Sequence, residues 1–170
     1  MCGIFALCNY TPQHISEDYI EKCFMLGKNR GPEFSSLKYV SINLKFGFHR
    51  LAINGINQKS NQPLVRETVT LICNGEIYNY KELYKLLKIE PQSDSDCEVI
   101  IHLYKKFGIN DTLKLLDGVF AFALLDNNGL DTKMYVARDP YGVRPLYMFQ
   151  QDNFIGFGSS MTMLTGLTNA

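Results

Sequence analysis

The sequence carries no net charge: 17 Lys and Arg balance 17 Asp and Glu, and charged residues make up 20% of its 170 positions. A basic face for nucleic acid is therefore unsupported, and with 46% hydrophobic residues so is intrinsic disorder. A small polar ligand fits such a surface better. No Cys-x-x-Cys pair occurs, and the five cysteines, Cys2, Cys8, Cys23, Cys73 and Cys97, are odd in number. That argues against a disulfide framework and a zinc site, and for free thiols in a reducing, cytoplasmic compartment. Long apolar runs are missing too. The longest, such as Val119 to Leu125, are far too short to cross a bilayer, and the N-terminus has neither a basic leader nor a cleavable apolar segment. Without an internal repeat, low-complexity tract or Gly/Ser/Pro-rich linker, one domain is expected over residues 1–170, long enough to bury a substantial core.

What is present starts at the N-terminus. Met1-Cys2-Gly3-Ile4-Phe5 puts a small side chain after the initiator methionine, the arrangement from which an aminopeptidase removes Met1. Processing would leave Cys2 with a thiol and a free α-amino group in one residue. An α-amino group has an unperturbed pKa of about 7.7 to 8.0, so it is able to serve as base for its own thiol without a catalytic histidine. Taken alone, Met-Cys also reads as a small apolar residue opening a strand.

The hydrophobic pattern predicts a strand over Cys2 to Cys8, then a helix from about Ser16 to Lys28, capped by Ser16 and striped with Ile20, Cys23, Phe24 and Leu26. Strands follow at Leu37 to Leu44, Lys45 to Ile53 and Val69 to Cys73, the last ending in a polar turn at Asn74-Gly75. Helices are predicted over Tyr80 to Lys88, Asp96 to Phe107 and about Asn110 to Leu116. Strands return at Val119 to Asp126, Met134 to Arg138, Leu146 to Phe149 and Phe154 to Ser159. Strand and helix do not alternate, which argues against a doubly wound parallel sheet and for two sheets packed face to face with helices outside. The run Gly118 to Leu125 is apolar on both faces, as a strand between a sheet and a helix layer should be.

Three segments carry polar groups suited to a site. Arg50, in Phe48-His49-Arg50, is able to grip a carboxylate with its two-pronged guanidinium, although an arginine by itself is most often a solvated surface residue. In Asn74-Gly75 the glycine permits close backbone approach, so the Asn amide and the Gly N–H are able to point at one developing oxyanion. An ordinary turn is the simpler reading. Asp96, in Ser93-Asp94-Ser95-Asp96-Cys97-Glu98, stands where a helix N-cap would, and its carboxylate equally suits a substrate ammonium.

These words and others form one ordered set. Met1-Cys2-Gly3-Ile4-Phe5, Arg30-Gly31-Pro32, Arg50-Leu51-Ala52-Ile53, Gln62-Pro63-Leu64, Asn74-Gly75-Glu76-Ile77-Tyr78-Asn79, Ser95-Asp96-Cys97-Glu98, Leu116 to Ala123 and Ala137 to Leu146 cover the chain to about Ser160. Through them the chain resembles the class II glutamine amidotransferase domain, an N-terminal-nucleophile (Ntn) hydrolase. It is most similar to the glutaminase half of glutamine-hydrolysing asparagine synthetase. The resemblance implies an α+β fold, a four-layer αββα sandwich of two packed, mainly antiparallel sheets. It implies Cys2 as nucleophile with its own amine as base, and Asn74 and Gly75 in the oxyanion hole. Arg50 would meet the glutamine α-carboxylate, Glu76 and Asp96 would surround the amino end, and the backbone near Leu51 and Ile53 would complete the pocket. Arg138 and Asp139 read as braces for a loop beside the site.

The implied reaction is hydrolysis of glutamine to glutamate and ammonia through a Cys2 thioester, with the ammonia passing to an asparagine-forming synthetase domain or chain. No cofactor and no metal are implied for that step. ATP and Mg enter only with a synthetase domain or partner, whose Ser-Gly-Gly-x-Asp-Ser loop does not occur here. The partners so implied are glutamine and the ammonia acceptor, with a homodimer allowed and neither nucleic acid nor membrane. The glucosamine-6-phosphate synthase and phosphoribosyl types are alternatives within the family, although Asn74 to Asn79 is more similar to asparagine synthetases. A catalytically silent module that binds glutamine or a partner is the alternative outside it. Glu33, Phe48 and Gly55 depart from the family's usual Asp, His and Asp, and none of them carries an implied chemical role.

Overall fold

The strand Gly3–Asn9 (β1) shows how the molecule is partitioned. Its side chains alternate: Phe5 and Leu7 join an apolar cluster with Ile20, Phe24 and Leu164, while Ile4 and Ala6 join another with Phe46, Ile72 and Ala121. A strand buried on both faces needs a layer on each side. The computed structural model describes residues 1–9, 15–53, 55–129, 131–151 and 153–169, and it supplies those layers. On the Phe5 side lie helices α1 (Glu17–Met25) and α4 (Met161–Thr165). On the Ile4 side lies a second sheet.

The first sheet has the order β2-β3-β1-β9-β8, built from β2 (Phe34–Ser41), β3 (Leu44–Arg50), β1, β9 (Phe154–Gly158) and β8 (Tyr147–Gln151). The second has the order β4-β5-β6-β7, from β4 (Leu64–Arg66), β5 (Val69–Ile77), β6 (Gly118–Asn127) and β7 (Thr132–Arg138). Every strand pairing is antiparallel. A third apolar cluster, with Leu71, Phe120, Phe122 and Leu124 against Leu83, Ile100 and Leu103, packs the second sheet under α2 (Tyr80–Leu87) and α3 (Val99–Leu115). The layers thus run helix, sheet, sheet, helix: the expected αββα sandwich. The two-faced run in β6 divides as anticipated, with Phe120, Phe122 and Leu124 toward the helices and Ala121, Ala123 and Leu125 between the sheets. Among the described residues no helix is long and apolar enough to cross a membrane.

Four local expectations are corrected. The strands expected over Leu37 to Leu44 and Lys45 to Ile53 are instead β2 and β3, joined by a two-residue turn at Ile42-Asn43 that contains no glycine to mark it. Leu26 does not belong to the buried stripe of α1; it sits just past the helix end and is exposed. Ser16 occupies the N-cap position without a side-chain cap bond; its carbonyl takes the Tyr19 and Ile20 N–H groups. Most consequentially, Asn74-Gly75 is not a turn. β5 runs straight through it, pairing Asn74 with Ala121 and Gly75 with Phe120. A nine-residue antiparallel pairing overrides the local turn propensity of Asn-Gly. Glycine is required there for another reason: a Cβ on Gly75 would stand 2.7 Å from Phe120 Cβ and 2.7 Å from the Val119 oxygen. The two helical stretches expected on either side of Gly108 form α3 with a break at that residue, whose φ of 75° suits glycine. β4 and α4, of three and five residues, carry too little pattern to be expected from sequence.

Candidate functional site

Strand register fixes the first half of the site. Gly3 pairs with His49, so Cys2, immediately before β1, emerges beside Arg50 at the end of β3. Across the sandwich, the C-terminal half of β5 presents Asn74, Gly75 and Glu76 at the same end. Asp96 starts a short 3-10 turn (Asp96–Glu98) ahead of α3 instead of capping that helix, and its Oδ2 accepts the Ile77 N–H at 2.7 Å, fastening the turn to β5.

All the residues singled out from sequence, Cys2, Arg50, Leu51, Ile53, Asn74, Gly75, Glu76 and Asp96, line one cavity of about 60 Å³. They do not occupy it equally. Asn74, Asp96 and Arg50 form its floor at 2%, 5% and 7% exposure, while Ile53 and Glu76 stand at the open rim. Met1, exposed and still joined to Cys2, lines the same space.

Arg50 is therefore no surface arginine. Nη1 donates to the Asn57 carbonyl at 3.1 Å and to Asn61 Oδ1 at 2.5 Å, and Nη2 donates to the Gly55 carbonyl. Of five guanidinium hydrogens, Nε–H and one on Nη2 have no acceptor among the described residues. Asn74 is the sharper case. Its Nδ2 is buried without a hydrogen-bond partner among the described residues, an arrangement that costs stability unless something else is gained.

Cys2 Sγ lies 3.4 Å from the Leu51 carbonyl oxygen and 3.4 Å from the Leu51 nitrogen. Burial pushes this thiol up; the Leu51 contact, the N-terminal ammonium and Arg50 pull it back down, against a smaller upward push from Cys73. Two further thiols, Cys73 and Cys97, line the cavity. Cys97 is held well above the usual thiol range, first by its contact with the Cys73 thiol and then by burial, so it stays protonated. All five cysteines are free.

Residues of several other motifs support the site without a role that their sequence signals. Arg30 Nε donates to the Cys2 carbonyl at 3.1 Å and steadies the backbone of that residue. Gln62 Nε2 donates to the Cys73 carbonyl at 3.1 Å and its Oε1 accepts the Cys73 N–H at 2.6 Å, so a side-chain amide completes the edge of β5 just ahead of Asn74. Arg144 and Ser95 also line the cavity. Asp139 behaves as the brace it was read to be. Its buried carboxylate accepts the N–H groups of Phe120, Tyr141, Val143 and Arg144 at 3.0 to 3.3 Å. Glu33, one of the departures from the family pattern, accepts the Ala52 N–H at 3.0 Å and supports the rim.

With this geometry in view, comparison with known proteins is direct. Residues 1–170 match the family described as the glutamine amidotransferase domain. The chain is 38% identical over 170 residues to a probable glutamine-hydrolysing asparagine synthetase of Acanthamoeba polyphaga mimivirus, covering 96% of this chain and 30% of that protein. It is 39% identical over 180 residues to the glutamine-hydrolysing asparagine synthetase of Gallus gallus and 37% identical over 180 residues to that of Homo sapiens, covering 100% of this chain and 30% of each relative. The chain thus spans about 30% of the length of the curated relatives it matches. Among solved structures, it resembles glutamine phosphoribosylpyrophosphate amidotransferase from B. subtilis, complexed with ADP and GMP. The TM-score is 0.76 at 22% identity, over 98% of this chain and 44% of that one.

Proposed function

Because the chain belongs to the glutamine amidotransferase domain family, we propose that it hydrolyses glutamine to glutamate and ammonia through a Cys2 thioester, supplying ammonia for asparagine synthesis by a synthetase domain or chain. One observation carries the reading: Cys2, Arg50, Asn74 and Asp96, from four separate segments, line one cavity in which Asn74 Nδ2 is a buried donor without a partner among the described residues. A nucleophile, a cation, an oxyanion donor and an acid are the set that an α-amino acid amide requires.

The reaction begins with removal of Met1, since Cys2 has a peptide nitrogen while Met1 remains attached. The freed amine takes the thiol proton, and Sγ attacks the glutamine side-chain carbonyl carbon. The carbonyl electron pair moves to oxygen, where Asn74 Nδ2 and the Gly75 N–H stabilise it. As the oxyanion collapses, the ammonium returns its proton to the departing nitrogen, and ammonia leaves a thioester behind. Water then attacks the thioester carbonyl with the amine as base, and glutamate and the Cys2 thiol are regenerated. Arg50 holds the substrate α-carboxylate with its remaining N–H groups. Asp96 and Glu76 face the α-ammonium, and the Leu51 and Ile53 backbone closes the pocket.

No cofactor takes part in this hydrolysis; ATP and Mg belong to the synthetase step. The similarity to asparagine synthetases favours asparagine as the destination of the ammonia over a sugar phosphate or phosphoribosyl acceptor. Glutamate release, followed alongside N-terminal mass spectrometry, tests the reading. Chains lacking Met1 should hydrolyse glutamine and chains retaining it should not. Absence of hydrolysis in the processed chain would overturn it.

A further inference from the structure

Two residues beyond Asp96, a fully buried carboxylate has no part in the chemistry described so far. Glu98 has 0% exposure, and its oxygens gather groups from three directions. Arg66, at the end of β4, approaches with Nε 3.2 Å from Oε1 and Nη2 2.9 Å from Oε2. His102, one turn along α3, places Nε2 3.1 Å from Oε1. The Gln92 N–H donates to Oε1 at 3.0 Å, and Ser93 Oγ donates to Oε2 at 2.5 Å.

The last two contacts lie upstream in the same stretch of chain, so the arc from Gln92 to Glu98 is tied back upon itself. Ser93 Oγ also accepts the Ser95 N–H at 3.3 Å, passing the tie to a residue that lines the cavity. At its other side the arc is fastened by Asp96 Oδ2 to the Ile77 N–H of β5 at 2.7 Å. Ser95 and Asp96 are thus the cavity-facing links between two fixed points. A buried ion pair is a poor source of net stability, because well-packed apolar residues of similar volume often do as well or better. What this one does impose is geometry.

We infer that Glu98 is a positioning residue for substrate recognition, acting through Ser93 and Ser95 to aim the Asp96 carboxylate at the amino group of glutamine, with Arg66 as its counter-charge. The inference rests on the glutaminase reading above. It places part of the substrate specificity in β4 and the Gln92 to Glu98 arc, outside the cavity wall.

The test is steady-state hydrolysis by the processed 170-residue chain of two substrates, glutamine and glutaramate, which is glutamine without its α-amino group. Glu98→Gln keeps the side chain's size and removes its charge. It should raise KM for glutamine by roughly tenfold or more, with kcat within about threefold of the parent. KM for glutaramate should change by less than about twofold, since that substrate offers Asp96 nothing to hold. Arg66→Lys, which keeps the charge but loses the two-pronged grip, should shift the same ratio in the same direction by a smaller factor and serves if Glu98→Gln fails to fold. An equal loss on both substrates, or an unchanged KM for glutamine, would overturn the positioning role while leaving the glutaminase reading intact. A parent chain inert toward glutamine would overturn both.

Discussion

Cys2 Sγ stands equidistant, at 3.4 Å, from the carbonyl oxygen and the amide nitrogen of Leu51. The thiol is able to donate to the oxygen; a thiolate is repelled by it and drawn to the N–H. One peptide group therefore answers both protonation states of the Cys2 side chain. The Leu51 contact works against burial, which is the main influence raising this thiol.

Cys2→Ala is expected to abolish glutamine hydrolysis and leave the melting curve close to the parent's, because the side chain borders a cavity and is only partly buried. Cys2→Ser should be severely impaired, since a hydroxyl is a far weaker nucleophile than a thiolate at neutral pH. Substantial hydrolysis by the alanine variant would sink the mechanism.

For Arg50, the proposed partner is a carboxylate. Charge-assisted bonds of that kind contribute roughly 1.5 to 3 kcal/mol, so Arg50→Lys should raise KM for glutamine by about tenfold to a hundredfold. Because the same guanidinium holds the carbonyls of Gly55 and Asn57 and the side chain of Asn61, a modest fall in melting temperature should accompany the change. An unchanged KM would assign Arg50 to loop support alone.

The sandwich was legible in the sequence because period-two alternation and the two-faced apolar run at Gly118 to Leu125 are local signals that layer packing obeys. The residues that line the cavity were legible only as an ordered set resembling a known family; taken singly, Arg50 reads as a surface residue, Asn74-Gly75 as a turn and Asp96 as a cap. What escaped depended on pairing over long distances. Nothing near Asn74-Gly75 announces that β6, some 45 residues on, will carry β5 straight through it. Likewise Gln62 stands in for a strand neighbour of Cys73, and Arg30 meets the Cys2 carbonyl only after the chain has folded. Nothing local to Glu98 signals that its carboxylate will be buried, because its partner Arg66 comes from β4, 32 residues upstream.

Acid should loosen the fold through Glu98. Burial alone would raise its carboxyl, but His102, Arg66, Ser93 and the Gln92 N–H together outweigh that and lower it from 4.5 to about 2. The folded value lies below the unfolded one, so this contribution is complete above about 4.5 and is lost as pH falls from there toward about 2. The lowering corresponds to a contribution on the order of 3 kcal/mol. Asp139 adds in the same sense: four backbone N–H groups draw its carboxyl down against the opposing effect of burial. Urea unfolding midpoints should fall between about pH 6 and pH 3. Glu98→Gln should be less stable at the upper pH and lose less on acidification. A pH dependence identical to the parent's would exclude Glu98 as a source of the acid sensitivity.

At Asn74 stability and chemistry are expected to part. Its backbone is held by pairing with Ala121, which is indifferent to the side chain, and the side-chain Nδ2 is buried without a partner among the described residues. A buried donor left unpaired costs about 1 to 3 kcal/mol in the resting protein, so removing it offsets much of the packing lost on truncation. Asn74→Ala should accordingly melt within a few degrees of the parent, or above it. If Nδ2 serves the developing oxyanion, the same variant should lose about 10² to 10³ in kcat with little change in KM, as an oxyanion donor does its work only in the transition state. Asn74→Asp sharpens the contrast, because it nearly preserves shape while replacing the donor with an acceptor, and its turnover should be at least as poor. Kinetics and a melting curve on these two variants suffice. Near-normal turnover in Asn74→Ala would refute the catalytic role, and a large drop in melting temperature together with a raised KM would make Asn74 a structural residue of β5.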